Sequence, residues 1–355
     1  MTVRLRFLGS ALVAGALIAA IALPTTANAA DPTTPVRGST AKQGAREMAR
    51  STIEYWSPAR MKAARTVRMP APSTRTPRLG AALRPDAEPG HLDGSSRGGG
   101  APTAALTPAD AYTYPFPFTR YAVEAALYET YPYRTVGRIF FRQNGVDYAC
   151  SGASVAGSPR QVVYTAGHCL SDGAGVFSRK VVFVPAYRDG KAPYGVFPAL
   201  NLWVTTGWHE DSDFTYDLGA FNVGRNAAGQ LLRNRVGYLG FAWNQSPEQH
   251  WNVLGYPSSS PFTGRTMQVC QASYAADDLA VEGSGPWPTG IGCDMTRGSS
   301  GGPWVVGWKR SNWLNGVNSY KYDSQPLATY GPYFDDAAVG ILCAAATGNA
   351  AATSC

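Results

Sequence analysis

The 355-residue sequence has no Cys-x-x-Cys pair and no His-Glu-x-x-His, and its only histidines are His91, His168, His209 and His250. None forms a metal-ligand motif, so no metal site is expected. Charge is also sparse, at 15% of residues, and the net +7 is unevenly placed. Residues 1–29 carry Arg4 and Arg6, residues 30–111 carry 12 basic and 7 acidic side chains, and residues 112–355 carry 17 of each. The large C-terminal part is therefore close to neutral. That excludes nucleic acid or an anionic membrane as a partner recognised by bulk charge. Long apolar runs are missing too, apart from Phe7 to Leu23.

That run has basic residues before it and ends in Ala27-Asn28-Ala29, a small-residue cleavage pattern. Residues 1–29 are read as an export signal rather than a membrane anchor. Residues 30–111 are rich in Pro, Ala, Arg, Gly and Thr, and "GSSRGGGAP" at 94–102 has linker composition. Within them only Ala41 to Ala64 has the makings of a helix or two, with Tyr55 and Trp56 as apolar hooks. The stretch is a poor domain and is read as a pro-segment and linker. All 6 cysteines lie in 112–355. An even count in an exported chain points to disulfides.

From Tyr112 onward the pattern is one of short strands punctuated by Gly, Pro, Asn and Asp. Expected strands are 135–142, 152–156, 161–166, 180–185, 200–206, 214–223, 251–256, 265–274 and 314–320. Only 332–346 reads as helix. Such spacing predicts an all-β fold, and about 240 residues suit a pair of packed antiparallel β-barrels with a C-terminal helix.

Three stretches carry candidate chemistry. "YTAGHCL" at 164–170 puts His168 in the turn after a strand, where a histidine is either structural or catalytic. "FTYDLGAF" at 214–221 sets Asp217 in an apolar run. A buried carboxylate needs a partner, either a histidine or the N–H groups of a turn. "TRGSSGGPW" at 296–304 places two serines between glycines. It is either a flexible loop or a strained turn that aims consecutive N–H groups at one point. Hydrolysis by serine needs a base, a group that orients the base, and donors for an oxyanion.

Together these stretches resemble the trypsin/chymotrypsin-like serine endopeptidases. "TAGHC" is similar to that family's T-A-A-H-C, "YDLGAF" to D-[IL]-A-L, "GSSGGP" to G-D-S-G-G-P, and "CSGASV" at 150–155 to its C-G-G-S-L/V strand. The resemblance covers about 112–355 and implies the two-barrel fold. "VLGYP" at 253–257 and "IEYWSPARM" at 53–61 resemble the bacterial secreted branch with glutamyl-endopeptidase-like members. It implies Ser300 as nucleophile, His168 as general base and then acid, and Asp217 as the group holding His168. The N–H groups of Gly298 and Ser300 would form the oxyanion hole. Asp211 and Asp213 are nearby rivals for the acid role, but they sit in the polar run "HEDSD". Ser299 stands where the family has an aspartate that pairs with a newly freed amino terminus. Activation by that ion pair is therefore not expected, although "RTVGR" at 134–138 faintly resembles an activation site. Removal of the pro-segment, with a cut in or after the linker, is expected instead.

Asp294 lies where trypsin-like members place the acidic base of the substrate pocket. The cysteine that family has four residues before the nucleophile is Thr296 here, so the loop is built differently. Asp294 is either the pocket base or a surface turn residue. Thr296, Asn318 and Ser319 are candidate pocket walls, and the preference for the residue before the cut stays open. The motif implies a Cys150–Cys169 bridge. Six cysteines allow fifteen pairings and fixing one leaves three; proximity favours Cys270–Cys293 and Cys343–Cys355. The expectation is a secreted, extracellular serine endopeptidase acting on proteins or peptides, needing no cofactor and bound by its own pro-segment before maturation. The alternatives are a non-catalytic binding module on the same fold and an esterase using the same triad.

Overall fold

The computed structural model describes residues 30–39, 45–67, 72, 76–81, 87–95, 112–281 and 286–355. The chain divides into Met1–Ala30 and Asp31–Cys355, and the fold is that of the second unit. Residues 1–29, read as the export signal, and much of the linker lie outside the described residues.

Elements run in this order. β1 (Pro35–Ser39), α1 (Ala45–Tyr55), α2 (Pro58–Ala63), β2 (Arg65–Thr66), β3 (Leu79–Gly80) and β4 (Gly90–Leu92) come first. β5 (Thr119–Ala122) leads into β6 (Val136–Gln143), β7 (Val146–Val155), β8 (Val162–Thr165), β9 (Arg179–Pro185) and β10 (Phe197–Thr205). After α3 (Thr206–Asp211) come β11 (Gly219–Val223), α4 (Leu232–Val236), β12 (Gly240–Trp243), β13 (His250–Gly255) and β14 (Gln268–Asp278). β15 (Thr289–Gly292), β16 (Pro303–Val306), β17 (Trp313–Val317), β18 (Ala328–Gly331) and α5 (Asp336–Thr347) complete the chain.

The first sheet runs β10-β11-β8-β7-β6-β9, and β9 pairs back onto β10, closing a six-stranded antiparallel barrel. Closure removes the open edges that a free sheet would expose. The second sheet runs β18-β15-β14-β13-β16-β17-β12-β4, with β3 and β5 also pairing β14. A bridge between Val155 and Leu239 joins the two sheets where one barrel hands the chain to the other. This is the two-barrel architecture expected. The strand runs are nearly all apolar because both faces are covered. "VGRIFFRQ" of β6, for example, is buried from Val136 to Phe141. In place of one long strand over 214–223, residues 214–216 form a 3-10 turn before β11. Asp213 caps that turn by accepting from the Thr215 N–H. Residues 332–335 stay outside α5 because Asp335 caps it, accepting from Ala337 and Ala338.

The segment before residue 96 does not stand apart. β1 adds to the β10 edge, β2 to β7, β3 to β14 and β4 to β12. Trp56 is buried in the main core cluster. Ser57 caps α2 and Pro58 occupies its first turn.

Disulfides join Cys150–Cys169, Cys270–Cys293 and Cys343–Cys355. Among the described residues no helix is long and apolar enough to cross a membrane. The Cys150–Cys169 bridge closes a loop with a sequence separation of 19. Replacing both cysteines by serine should lower the unfolding free energy by about 3 kcal/mol, read by denaturant titration. An unchanged midpoint would show that the loop is held without the bridge.

Candidate active site

β8 ends at Thr165, and the chain turns through Gly167-His168-Cys169 as one 3-10 turn. Gly167 has no alternative: a Cβ there would press on Trp208 and on Asp217 Oδ1. Asp217 arrives from the turn before β11 and is fully buried. Its Oδ1 accepts from the His168 backbone N–H at 2.7 Å, and its Oδ2 lies 2.8 Å from His168 Nδ1. The Ser319 hydroxyl donates to the same Oδ2. Three donors on one buried carboxylate supply the charge-assisted bonds its burial requires. They also fix the proton of the imidazole on Nδ1, leaving Nε2 as the basic nitrogen. The His168 ring packs edge-on against Trp208, with centroids 5.9 Å apart.

The rival acids lie elsewhere. Asp211 is exposed at the end of α3, and Asp213 caps the 214–216 turn, burial raising its pKa above the usual carboxylate value. His209 bonds Ser171 through Nδ1 and stacks on Phe177; burial pushes its pKa down.

The 298–302 turn answers which serine is available. The Ser299 hydroxyl donates to Thr296 O at 2.9 Å. Ser300 Oγ is buried and has no hydrogen-bond partner, and His168 Nε2 is in the same condition. The backbone follows the same division. Ser299, Gly301 and Gly302 donate their N–H groups to Thr296, Asn318 and Ser299 carbonyls. Among the described residues the Gly298 and Ser300 N–H groups have no such acceptor. Gly298 and Gly301 have φ of +96° and +72°, which L side chains rarely adopt. A Cβ on Gly301 would also collide with Thr165 Oγ1 and Ser151 O, so the turn is pressed against the end of β8 just before His168.

Ser151 couples this turn to the first barrel. Its N–H donates to Ser300 O at 2.7 Å, its hydroxyl donates to Gly298 O at 2.9 Å, and that hydroxyl accepts from Tyr256 N–H. The neighbouring Cys150 is bridged to Cys169, beside His168. Sequence reasoning missed Ser151; the signal was its place directly after the bridge cysteine.

The candidate pocket residues have other engagements. Asp294 pairs with Arg120, Nε to carboxylate at 2.9 Å. Thr296 exchanges hydrogen bonds with the Ser259 backbone. Asn318 takes the Trp304 indole N–H and donates to Ser299 O. The Ser319 hydroxyl is the one that donates to Asp217. Lys321, missed by the sequence reading, pins the loop before the nucleophile: its Nζ donates to Cys293 O, Met295 O and Pro326 O at 2.7–2.9 Å. Two groupings of metal-type ligands occur among the described residues, Cys150–His168–Cys169 and Cys270–Cys293–Asp294. In both, the sulfurs are already in disulfides and offer no thiolate.

No family model and no curated protein matches the chain. Solved structures do. The protease Anisep from Arthrobacter nicotinovorans is 36% identical, covering 60% of this chain and 95% of that one, with a TM-score of 0.55. The thermostable serine protease AL20 from an extremophilic microorganism is 35% identical, covering 61% of this chain and 98% of that one, at 0.56. Fold, motif order and these relatives agree: the chain belongs to the trypsin/chymotrypsin-like family of serine proteases. Within that family it sits with bacterial members, as "VLGYP" and "IEYWSPARM" suggest.

Burial lowers the Lys321 pKa from the ordinary 10.5 to about 8. Between these values the unfolded chain holds a proton that the folded chain has lost, so this group adds stability as pH rises from 8 to 10. The stability difference between the parent and Lys321→Met should therefore grow over that range in denaturant titrations. A constant difference would contradict the burial of the ammonium.

Proposed function

We propose that the protein is a secreted serine endopeptidase that cuts peptide bonds through a His168–Asp217–Ser300 triad. The observation that carries this reading is a division of labour. Asp217 is saturated by His168 and Ser319, while the two atoms that must react, His168 Nε2 and Ser300 Oγ, are bound to nothing. Nε2 takes the Ser300 proton as Oγ attacks the scissile carbonyl. The oxyanion forms opposite the free N–H groups of Gly298 and Ser300. The imidazolium, steadied by Asp217, then protonates the leaving amine. Water, activated by the same His168, releases the acyl group from Ser300. No cofactor enters these steps. In the free protein the Nε2–Oγ hydrogen bond is unmade, as is common before substrate tightens such a site.

The reading extends to biogenesis. Residues 1–29 act as an export signal, 30–111 as pro-segment and linker, and 112–355 as the protease domain. Three disulfides suit an oxidising extracellular compartment. Ser299 has no charge to offer a new amino terminus, so activation follows cleavage of the linker and not an ion pair beside the nucleophile. Asp294 is paired with Arg120, so a basic side chain of the substrate would compete with that arginine for it.

Ser300→Ala should lower kcat on a casein or peptide substrate by roughly five to six orders of magnitude. Ser299→Ala should stay within about tenfold of the parent, since it removes one bracing hydrogen bond. The reverse pattern would move the nucleophile to Ser299. Asp217→Asn should cost about 10⁴ in kcat through the wrong tautomer. Full activity in that variant would send the acid role back to Asp211 or Asp213. Hydrolysis of small esters with none of peptides would favour the esterase.

A further inference from the structure

The pro-segment reading treats residues 30–111 as something removed, yet the described part of that segment is built into the protease. β1 adds a five-residue antiparallel strand to β10, in register from Pro35↔Thr205 to Ser39↔Asn201. Arg37 donates through Nε and Nη2 to Asn201 Oδ1 and lies over the Trp203 ring. Farther on, Trp56 is 3% exposed and its ring sits 5.5 Å from that of Phe140 on β6. The indole N–H donates to Lys180 O. Met61 is equally buried. Around this anchor lies a polar ring. Tyr55 OH donates to Asp147 at 2.7 Å and accepts from Arg142, and Lys180 donates to Ser51. A buried aromatic anchor inside a polar rim is the anatomy of a lasting interface. A strand added to a sheet edge is a recognised mode of holding a peptide.

We propose that residues 31–66 stay bound to the first barrel after the linker is cut, so that the mature protease is a two-chain particle. This rests on the reading of 30–111 as pro-segment and linker. The bound segment also reaches the catalytic histidine's surroundings. The Gly207 N–H donates to Pro32 O and the Thr206 N–H to Thr34 O, both at 2.9 Å. Those residues open α3, whose Trp208 packs against His168. The segment is thus a permanent clamp on the support of His168. The basic residues it carries, Arg37, Lys42, Arg46, Arg50, Arg60, Lys62 and Arg65, remain with the mature particle.

The test uses the full chain in a Ser300→Ala background, so that its outcome does not depend on the triad. A recognition sequence for a site-specific protease replaces Gly98–Gly100, and the cut protein is passed over a gel-filtration column. Native mass spectrometry should find the N-terminal fragment in the protease peak, and denaturation should separate the two chains. A protease peak without the fragment overturns the proposal. Trp56→Phe keeps a ring but loses the N–H donor, and should speed fragment release on dilution by about tenfold. An unchanged release rate would remove Trp56 as the anchor. Separately, the intact mass of the naturally secreted chain reports whether the linker is cut in nature. An uncut chain would count against the pro-segment reading while the engineered cut still decides the clamp.

Discussion

A carboxylate with no access to water sets the terms for the site. Asp217 is fully buried, and an ionised group in that position is tolerable only when donors surround it. Its donors come from both sheets. His168 supplies a backbone N–H and a ring nitrogen from the turn after β8, and Ser319 supplies a hydroxyl from just beyond β17. Satisfying Asp217 therefore requires the two barrels to be docked. It also forces the steric economy nearby, where only glycine fits at position 167. Folding and the preparation of the base are in this sense one event.

The 298–302 turn obeys a parallel constraint. Ser151 holds it by two hydrogen bonds from the first barrel, and Asn318 receives and returns backbone bonds from the second. The disulfide from Cys150 to Cys169 places the Ser151 tie and the His168 turn on the same covalent ring. Around these two turns Ser300 Oγ and His168 Nε2 are left without a hydrogen-bond partner, and among the described residues the N–H groups of Gly298 and Ser300 have no backbone acceptor.

Much of this was legible in the sequence, for identifiable reasons. Strands covered on both faces read as apolar runs, so β6, β9 and β13 were found close to their bounds. β12, β15, β16 and β18, each only 4 residues long, were not among the expected strands. The cost of burial showed that Asp217 needs a partner, a histidine or turn N–H groups, whereas His168 as that partner and the choice of Ser300 over Ser299 came from motif alignment. The substrate pocket was the least legible part. Asp294, Asn318 and Ser319 are polar residues near the nucleophile, which made them candidate walls. Their hydrogen bonds go to Arg120, Trp304 and Asp217, from distant parts of the chain that no local pattern announces. The same holds for Lys321, whose three carbonyl partners come from two separate loops.

The central claim is that Ser300 alone is an activated nucleophile. Its most direct test is reaction of the disulfide-bonded protein with a fluorophosphonate, followed by intact and peptide mass spectrometry. The account predicts one adduct per molecule, located on Ser300. No adduct on a correctly disulfide-bonded chain, or an adduct on Ser299, would contradict it.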